Sequence, residues 1–271
     1  MKIINPIKII NPMQMAIIKK DFIGIASNKR LFSVLLIVPL MFTVVIPSIF
    51  ILTIYFAPEE AGDLHSLLRI APALSYVDSM SRALTALIFN YIIPVFFMLI
   101  PIMAASVMAA SSFVGEKEKR TLETLLYCPL SMKQIFQAKV WASFLMSMTV
   151  SFISFFIMLI VVETEIVLMY GNLLIPGINW LVAMLVVSPA VSLLAITLIV
   201  GGSAKAQSVE ESQQRAVFLV LPVILLAVSQ FTGIILINTW YLLAVGAIFA
   251  AFAYVLMRRS LRNFTYEILL R

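Results

Sequence analysis

The sequence predicts an all-α membrane protein with six transmembrane helices. Three observations carry that prediction. The 271 residues are 62% hydrophobic and only 12% charged, whereas a soluble domain carries roughly 25% charged residues. The mean hydropathy is +1.08. Six windows, roughly 31–56, 86–114, 139–162, 178–201, 216–236 and 239–257, each offer the length of apolar chain that a helix needs to cross a hydrocarbon core about 30 Å thick. Only helices and closed barrels satisfy the backbone inside lipid. Barrel strands would be about ten residues long and alternating, and these runs are long and uniformly apolar. They make one bundle, 31–257, flanked by an N-terminal segment 1–30 and a tail 258–271, with no large soluble domain.

The charges orient the bundle. With the N-terminus in the cytoplasm, all but Arg69 and Arg82 of the nineteen Lys and Arg fall on the cytoplasmic side. Glu59, Glu60, Asp63, Asp78, Glu163 and Glu165 fall outside. The positive-inside rule then places both termini in the cytoplasm of a multi-pass protein of the cell membrane. The net charge of +6 is therefore a matter of topology, and a nucleic-acid partner is not expected. The first apolar run starts about thirty residues in and is too long for the h-region of a cleavable signal, so it reads as a signal anchor.

Taken in order, residues 11–30 read as a helix on the inner membrane surface. Asn11 can cap it, and Pro12 suits the first helical position. Met15, Ile18, Phe22, Ile25 and Ala26 share one face, with Lys20, Asp21, Ser27 and Asn28 away from it. Lys19 and Lys20 would sit among anionic headgroups of the bilayer. Span 1 carries Pro39 and Pro47, so bends are expected. Residues 57–85 form the largest external segment, read as short surface helices with a solvated His65. Span 2 holds Pro94 and Pro101, then a small-residue run from Ala104 to Ser112 that suits close helix packing better than a path.

A charged segment follows, 115–138. Thr121–Tyr127 can form a short helix that Pro129 ends. Ser131 and Gln134 are spaced as a capping box, so a second helix starts there and runs into span 3. The loop 163–177 is external and acidic, Pro189 marks a kink in span 4, and 202–215 reads as a plain cytoplasmic loop. Spans 5 and 6 are joined by a few residues near Ile237, with Trp240 and Tyr241 at the outer aromatic belt.

Several chemistries are missing. No charge falls in the middle of a span, which argues against an ion-coupled pump. The only histidine is His65, so H-E-x-x-H is absent, as are G-x-S-x-G and the phosphate loop G-x-x-x-x-G-K-[ST]. Cys128 is the single cysteine and has no base in a recognisable motif. No catalytic, cofactor-binding or metal-ligating residue is therefore expected. Such a protein conducts passively as a channel or facilitator, serves as a membrane scaffold, or is driven by a partner.

The charged stretch favours the last. Gly115–Lys139 reads GEKEKRTLETLLYCPLSMKQIFQAK. It resembles the signature of type-2 ABC exporter permeases, G-E-[RK]-E-x-G-T-[LI]-E-x-L-L-x-[ST]-P, through Gly115, Glu116, Lys117, Glu118, Thr121, Leu122, Glu123, Leu125, Leu126 and Pro129. Arg120 stands where that family has glycine, and Cys128 where it has Ser or Thr. The resemblance implies a permease subunit that pairs with a second permease chain and docks on a separate ATPase subunit, which alone binds ATP and Mg. Gly115, Glu116, Glu118, Arg120, Thr121, Leu122, Glu123, Leu125, Leu126 and Pro129 would then couple the ATPase to the bundle, and Ile18, Lys19, Lys20, Phe22 and Ile25 would form the interfacial helix. The cargo it implies for an apolar path is hydrophobic or amphipathic: a peptide, drug or lipid. The residues that line that path are not readable from sequence.

Overall fold

A computed structural model describes residues 11–57, 80–118, 129–203, 206, 208–231 and 238–263. Among these the chain is helical, with no strand, and six helices are long and apolar enough to cross a membrane. They are Leu35–Phe56 (span 1), Met80–Glu118 (span 2), Met132–Tyr170 (span 3), Ile178–Gly202 (span 4), Val209–Gln230 (span 5) and Thr239–Ser260 (span 6).

An N-terminal helix, α1 (Pro12–Ala26), precedes them. Asn11 has extended backbone and forms a capping box with Gln14, and Pro12 opens the helix. The expected apolar face is only partly the buried one. Ile18 and Ile25 are buried together with Gln14 and Ile17, but Met15 and Ala26 are exposed. The helix is docked on protein: Ile17 and Ile18 pack with Leu130, Met132, Ile135, Ala138 and Ala142 at the start of span 3. The Gln14 side-chain amide donates to the Gln134 carbonyl at 3.1 Å. Asp21, expected to point away, has its side chain buried on the docked face.

Span 2 is the central post. Its far half packs with spans 1, 3 and 4, and its other face packs with spans 4, 5 and 6. Ala104, Ala105, Ala109 and Ala110 are buried there, which lets spans 3 and 4 approach closely. Spans 1, 5 and 6 leave most of their surface exposed.

Each of three spans widens into a π segment just before a proline. Met41–Val45 precedes Pro47, Ile88–Ile92 precedes Pro94, and Ala183–Val187 precedes Pro189. In a regular helix the proline ring collides with the carbonyl four residues back. Those carbonyls belong to Thr43, Asn90 and Leu185, the central residue of each π segment. The wider turn moves the carbonyl off the ring, so each proline is accommodated by a defined local form.

The helices outrun two expected loops. Span 3 continues to Tyr170 and stops at Gly171, whose φ of 75° is a left-handed C-cap. Glu163 therefore lies on the helix, buried, with its carboxylate accepting the Leu174 N–H at 3.1 Å. Part of 202–215, expected as a plain loop, is the helix Val209–Gln214, capped by Ser208 and packed on the end of span 2. The Ser131–Gln134 capping box forms as its spacing predicts. Of the segment 57–85, expected to lie outside the membrane, residues 58–79 are outside the described residues and 80–85 are already helix of span 2, which starts six residues earlier than expected; the short helix expected at Thr121–Tyr127 is also outside the described residues.

Candidate functional site

Four charged side chains meet where α1 crosses the adjoining ends of spans 2 and 3. Lys139 is the hub. It sits on span 3 one turn beyond buried Ile135, on the face that carries Ala142, Ser143 and Met146, and it is 2% exposed. Its Nζ lies 2.6 Å from Glu116 Oε2 and 3.7 Å from Asp21 Oδ2. Its aligned hydrogen bonds go to span 2, to the Ser112 carbonyl at 2.5 Å and Ser112 Oγ at 3.3 Å. The ammonium also stands 5.6 Å from the centre of the Phe113 ring, within cation–π range.

The other members close the network. Lys20 Nζ donates to Glu116 Oε1 at 2.7 Å. Ser112 Oγ donates to Asp21 Oδ2 at 2.6 Å. The cluster thus holds two ammonium groups and two carboxylates, and its formal charge cancels. Three members have buried side chains and the fourth, Lys20, is half open to solvent. A buried ion costs several kcal/mol to desolvate unless it is paired and hydrogen-bonded. Here every buried charge has an opposite charge or a hydroxyl against it. The chemistry available is cohesion: α1 contributes Lys20 and Asp21, span 2 contributes Ser112 and Glu116, and span 3 contributes Lys139.

The expected coupling residues distribute unevenly around this cluster. Glu116 is inside it. Gly115 is buried against Val209 of span 5, with 3.6 Å of room for a Cβ, so no steric need for glycine exists there. Glu118 is exposed at the end of span 2 and accepts the Val209 N–H at 3.4 Å. Pro129 is exposed next to buried Leu130. Arg120, Thr121, Leu122, Glu123, Leu125 and Leu126 lie outside the described residues. On α1, Ile18 and Ile25 are buried, Phe22 is half-buried, Lys19 is exposed and Lys20 pairs with Glu116.

Asp21, Ser112 and Lys139 were not legible as a site from sequence. In the sequence Lys139 reads only as one of the basic residues expected on the cytoplasmic side. A signal was present: the capping box starts the helix at Met132, which puts Lys139 two turns inside it, on the same face as Ile135 and Ala142. Among the described residues, no group of His, Cys, Asp and Glu could hold a metal ion.

A second polar layer lies at the far ends of the spans. Asn179 Nδ2 donates to the Asn90 carbonyl at 3.0 Å, and Trp180 Nε1 donates to the Phe89 carbonyl at 3.0 Å. The Gly177 N–H donates to Asn90 Oδ1 at 2.6 Å, and Thr239 Oγ1 donates to Asn179 Oδ1 at 2.6 Å. Phe89, Phe97 and Phe155 pack around Trp180 with ring centres 5.4–5.6 Å from it.

No curated protein and no solved structure matches the chain. A family model does: that of the ABC-2 family transporter protein, over residues 15–242. That match takes in α1, the ion cluster and spans 1 to 5, and on this ground the chain belongs to the ABC-2 transporter family, as a membrane permease.

Proposed function

We propose that this permease is the non-catalytic membrane subunit of an ATP-driven exporter. A separate ATPase subunit binds ATP and Mg, and a second permease chain completes the complex. The termini and the 115–138 hairpin lie in the cytoplasm, where the ATPase docks. The hairpin leaves span 2 at Glu118 and re-enters the bundle at Ser131. The observation that carries this reading is the Lys139 cluster at the root of that hairpin. A push on the hairpin reaches α1, span 2 and span 3 together, because the three are joined through buried ion pairs. Passive channel or scaffold function gives no reason to bury three charges in one joint.

The cargo is hydrophobic or amphipathic: a peptide, a drug or a lipid. Support comes from where the buried charges lie. Among the described residues they are Glu116, Lys139 and Glu163 in the spans, all near helix ends, so the middle of the bundle carries no ionic site for a small inorganic ion.

The test is a mild-detergent purification of the full chain from its native membrane, followed by identification of what accompanies it and an ATPase assay. The expected result is a stoichiometric ATPase. Glu118→Lys with Glu123→Lys should abolish its binding or uncouple hydrolysis from transport, while membrane insertion stays intact. A chain that elutes alone overturns the exporter reading. Normal partner binding and transport in the double variant overturns the docking role of the hairpin.

A further inference from the structure

We propose that Asn179 is the hub of a latch that closes the outer mouth of the permease, and that this latch must open before substrate leaves on that side. The inference rests on the exporter reading for which side is outer, and on geometry for the latch itself.

The latch follows from Pro94. A proline has no N–H to give, so the Asn90 carbonyl four residues back loses its helical donor. The π segment Ile88–Ile92 moves that carbonyl away from the ring, and this opens it to a donor from another span, a welcome pairing inside a membrane protein. Asn179 of span 4 supplies it at 3.0 Å. The neighbouring Phe89 carbonyl takes the Trp180 indole N–H at 3.0 Å.

Asn179 then reaches the third helix, because its Oδ1 accepts from Thr239 at the start of span 6. It is 5% exposed, and both ends of its amide are used between spans. Asn90 is equally committed. Its carbonyl takes Asn179, its Oδ1 takes the Gly177 N–H, and its Nδ2 donates to the Ala86 carbonyl at 3.2 Å.

Gly177 is part of the same device. Its backbone, φ −71° and ψ 173°, is one that any residue adopts. A Cβ there would meet Asn90 Oδ1 at 2.9 Å, so glycine is needed for room. Under the latch, spans 4 and 6 touch closely: a Cβ on Gly246 would come within 3.1 Å of Val186 and 3.3 Å of Val187.

The arrangement suits a catch that opens and recloses. Its bonds are neutral hydrogen bonds, weaker than the ion pairs at the other end of span 2. Between the two ends, the hydrogen bonding of span 2 tightens at Met98, whose N–H donates to the Val95 carbonyl at 3.1 Å, between Pro94 and Pro101. This irregular turn lets the Glu116 end shift while the Asn90 end stays in place until the latch yields.

The experiment needs no partner and no known cargo. Val187→Cys is placed in a Cys128→Ser background, which removes the single native cysteine. Val187 is fully buried at the span 4–span 6 seam. Its rate of modification by a small water-soluble methanethiosulfonate added from the outside is measured in sealed membranes. Gly177→Ala and Thr239→Val, each added to that background, should raise the rate about tenfold, the change in open population that follows loss of one part-buried hydrogen bond between spans. Thr239→Ser, which keeps the hydroxyl, should leave it unchanged. Rates within about twofold of the parent for both Gly177→Ala and Thr239→Val overturn the latch. So does an equal rise in Thr239→Ser, which would mean loosened packing. Absence of an ATPase in the purification above speaks only against the exporter reading, since the thiol rates are read without one.

Discussion

Replacing Lys139 with methionine should loosen the joint between α1 and spans 2 and 3 more than any other single change at the cluster. The side chain is nearly isosteric, so the perturbation is loss of charge and of its hydrogen bonds. At an effective dielectric of about 20, contacts at 2.6 and 3.7 Å correspond to gross attractions of about 6 and 4 kcal/mol. Much of that offsets the cost of burying the ions. Lys139→Met leaves Glu116 with half-exposed Lys20, and Asp21 with the Ser112 hydroxyl and Lys20 at 4.0 Å. Breaking a buried pair by removing one partner costs about 3–5 kcal/mol. At about 2–4 °C per kcal/mol for a chain of this size, the thermal midpoint in detergent should fall by about 10 °C. The companion change Glu116→Gln removes one of the stranded carboxylates. The double variant Lys139→Met with Glu116→Gln should therefore lie above the sum of the two single losses, with a coupling of about 1–3 kcal/mol. Thermal unfolding of the four proteins measures this cycle. A midpoint for Lys139→Met within about 2 °C of the parent, or a coupling near zero, would refute the view that these charges hold the three helices together.

Two further outcomes follow from local structure. Gln230 is fully buried on span 5, and among the described residues neither atom of its amide has a hydrogen-bond partner. Gln230→Met should leave stability unchanged or raise it by about 1 kcal/mol, because an unpaired amide costs desolvation without return; a clear fall in the thermal midpoint would show that the amide is satisfied in the protein. Ser131→Ala removes the cap at the root of the hairpin, where Ser131 and Gln134 exchange bonds at 2.9 and 3.4 Å. It should cost about 1 kcal/mol and speed amide exchange in the first turn of span 3; unchanged exchange there would rule out the cap as the element that starts the helix.

Sequence alone was enough for the class of the protein and the number of spans. Those depend on length, hydropathy and short local patterns, each contained in a few adjacent turns of chain. The same locality made the Asn11 and Ser131 caps readable, and it let Pro47 and Pro189 mark irregular helix. Tertiary structure decided which polar residues matter, because burial is a property of the neighbour and not of the residue. Lys139 reads as one more basic flank until Ser112 and Glu116 of span 2 are placed against it. Asp21 sits on the polar side of an isolated α1, yet it turns inward once that helix docks on span 3. Asn179 carries no signal in its own segment, since the carbonyl it serves belongs to Asn90, next to Pro94 in another span. Glu163 looked like a loop residue because hydropathy fades there, but the helix runs on until Gly171 can turn left-handed. Contacts between residues dozens of positions apart have no local pattern to announce them, and both candidate joints of this permease are built from such contacts.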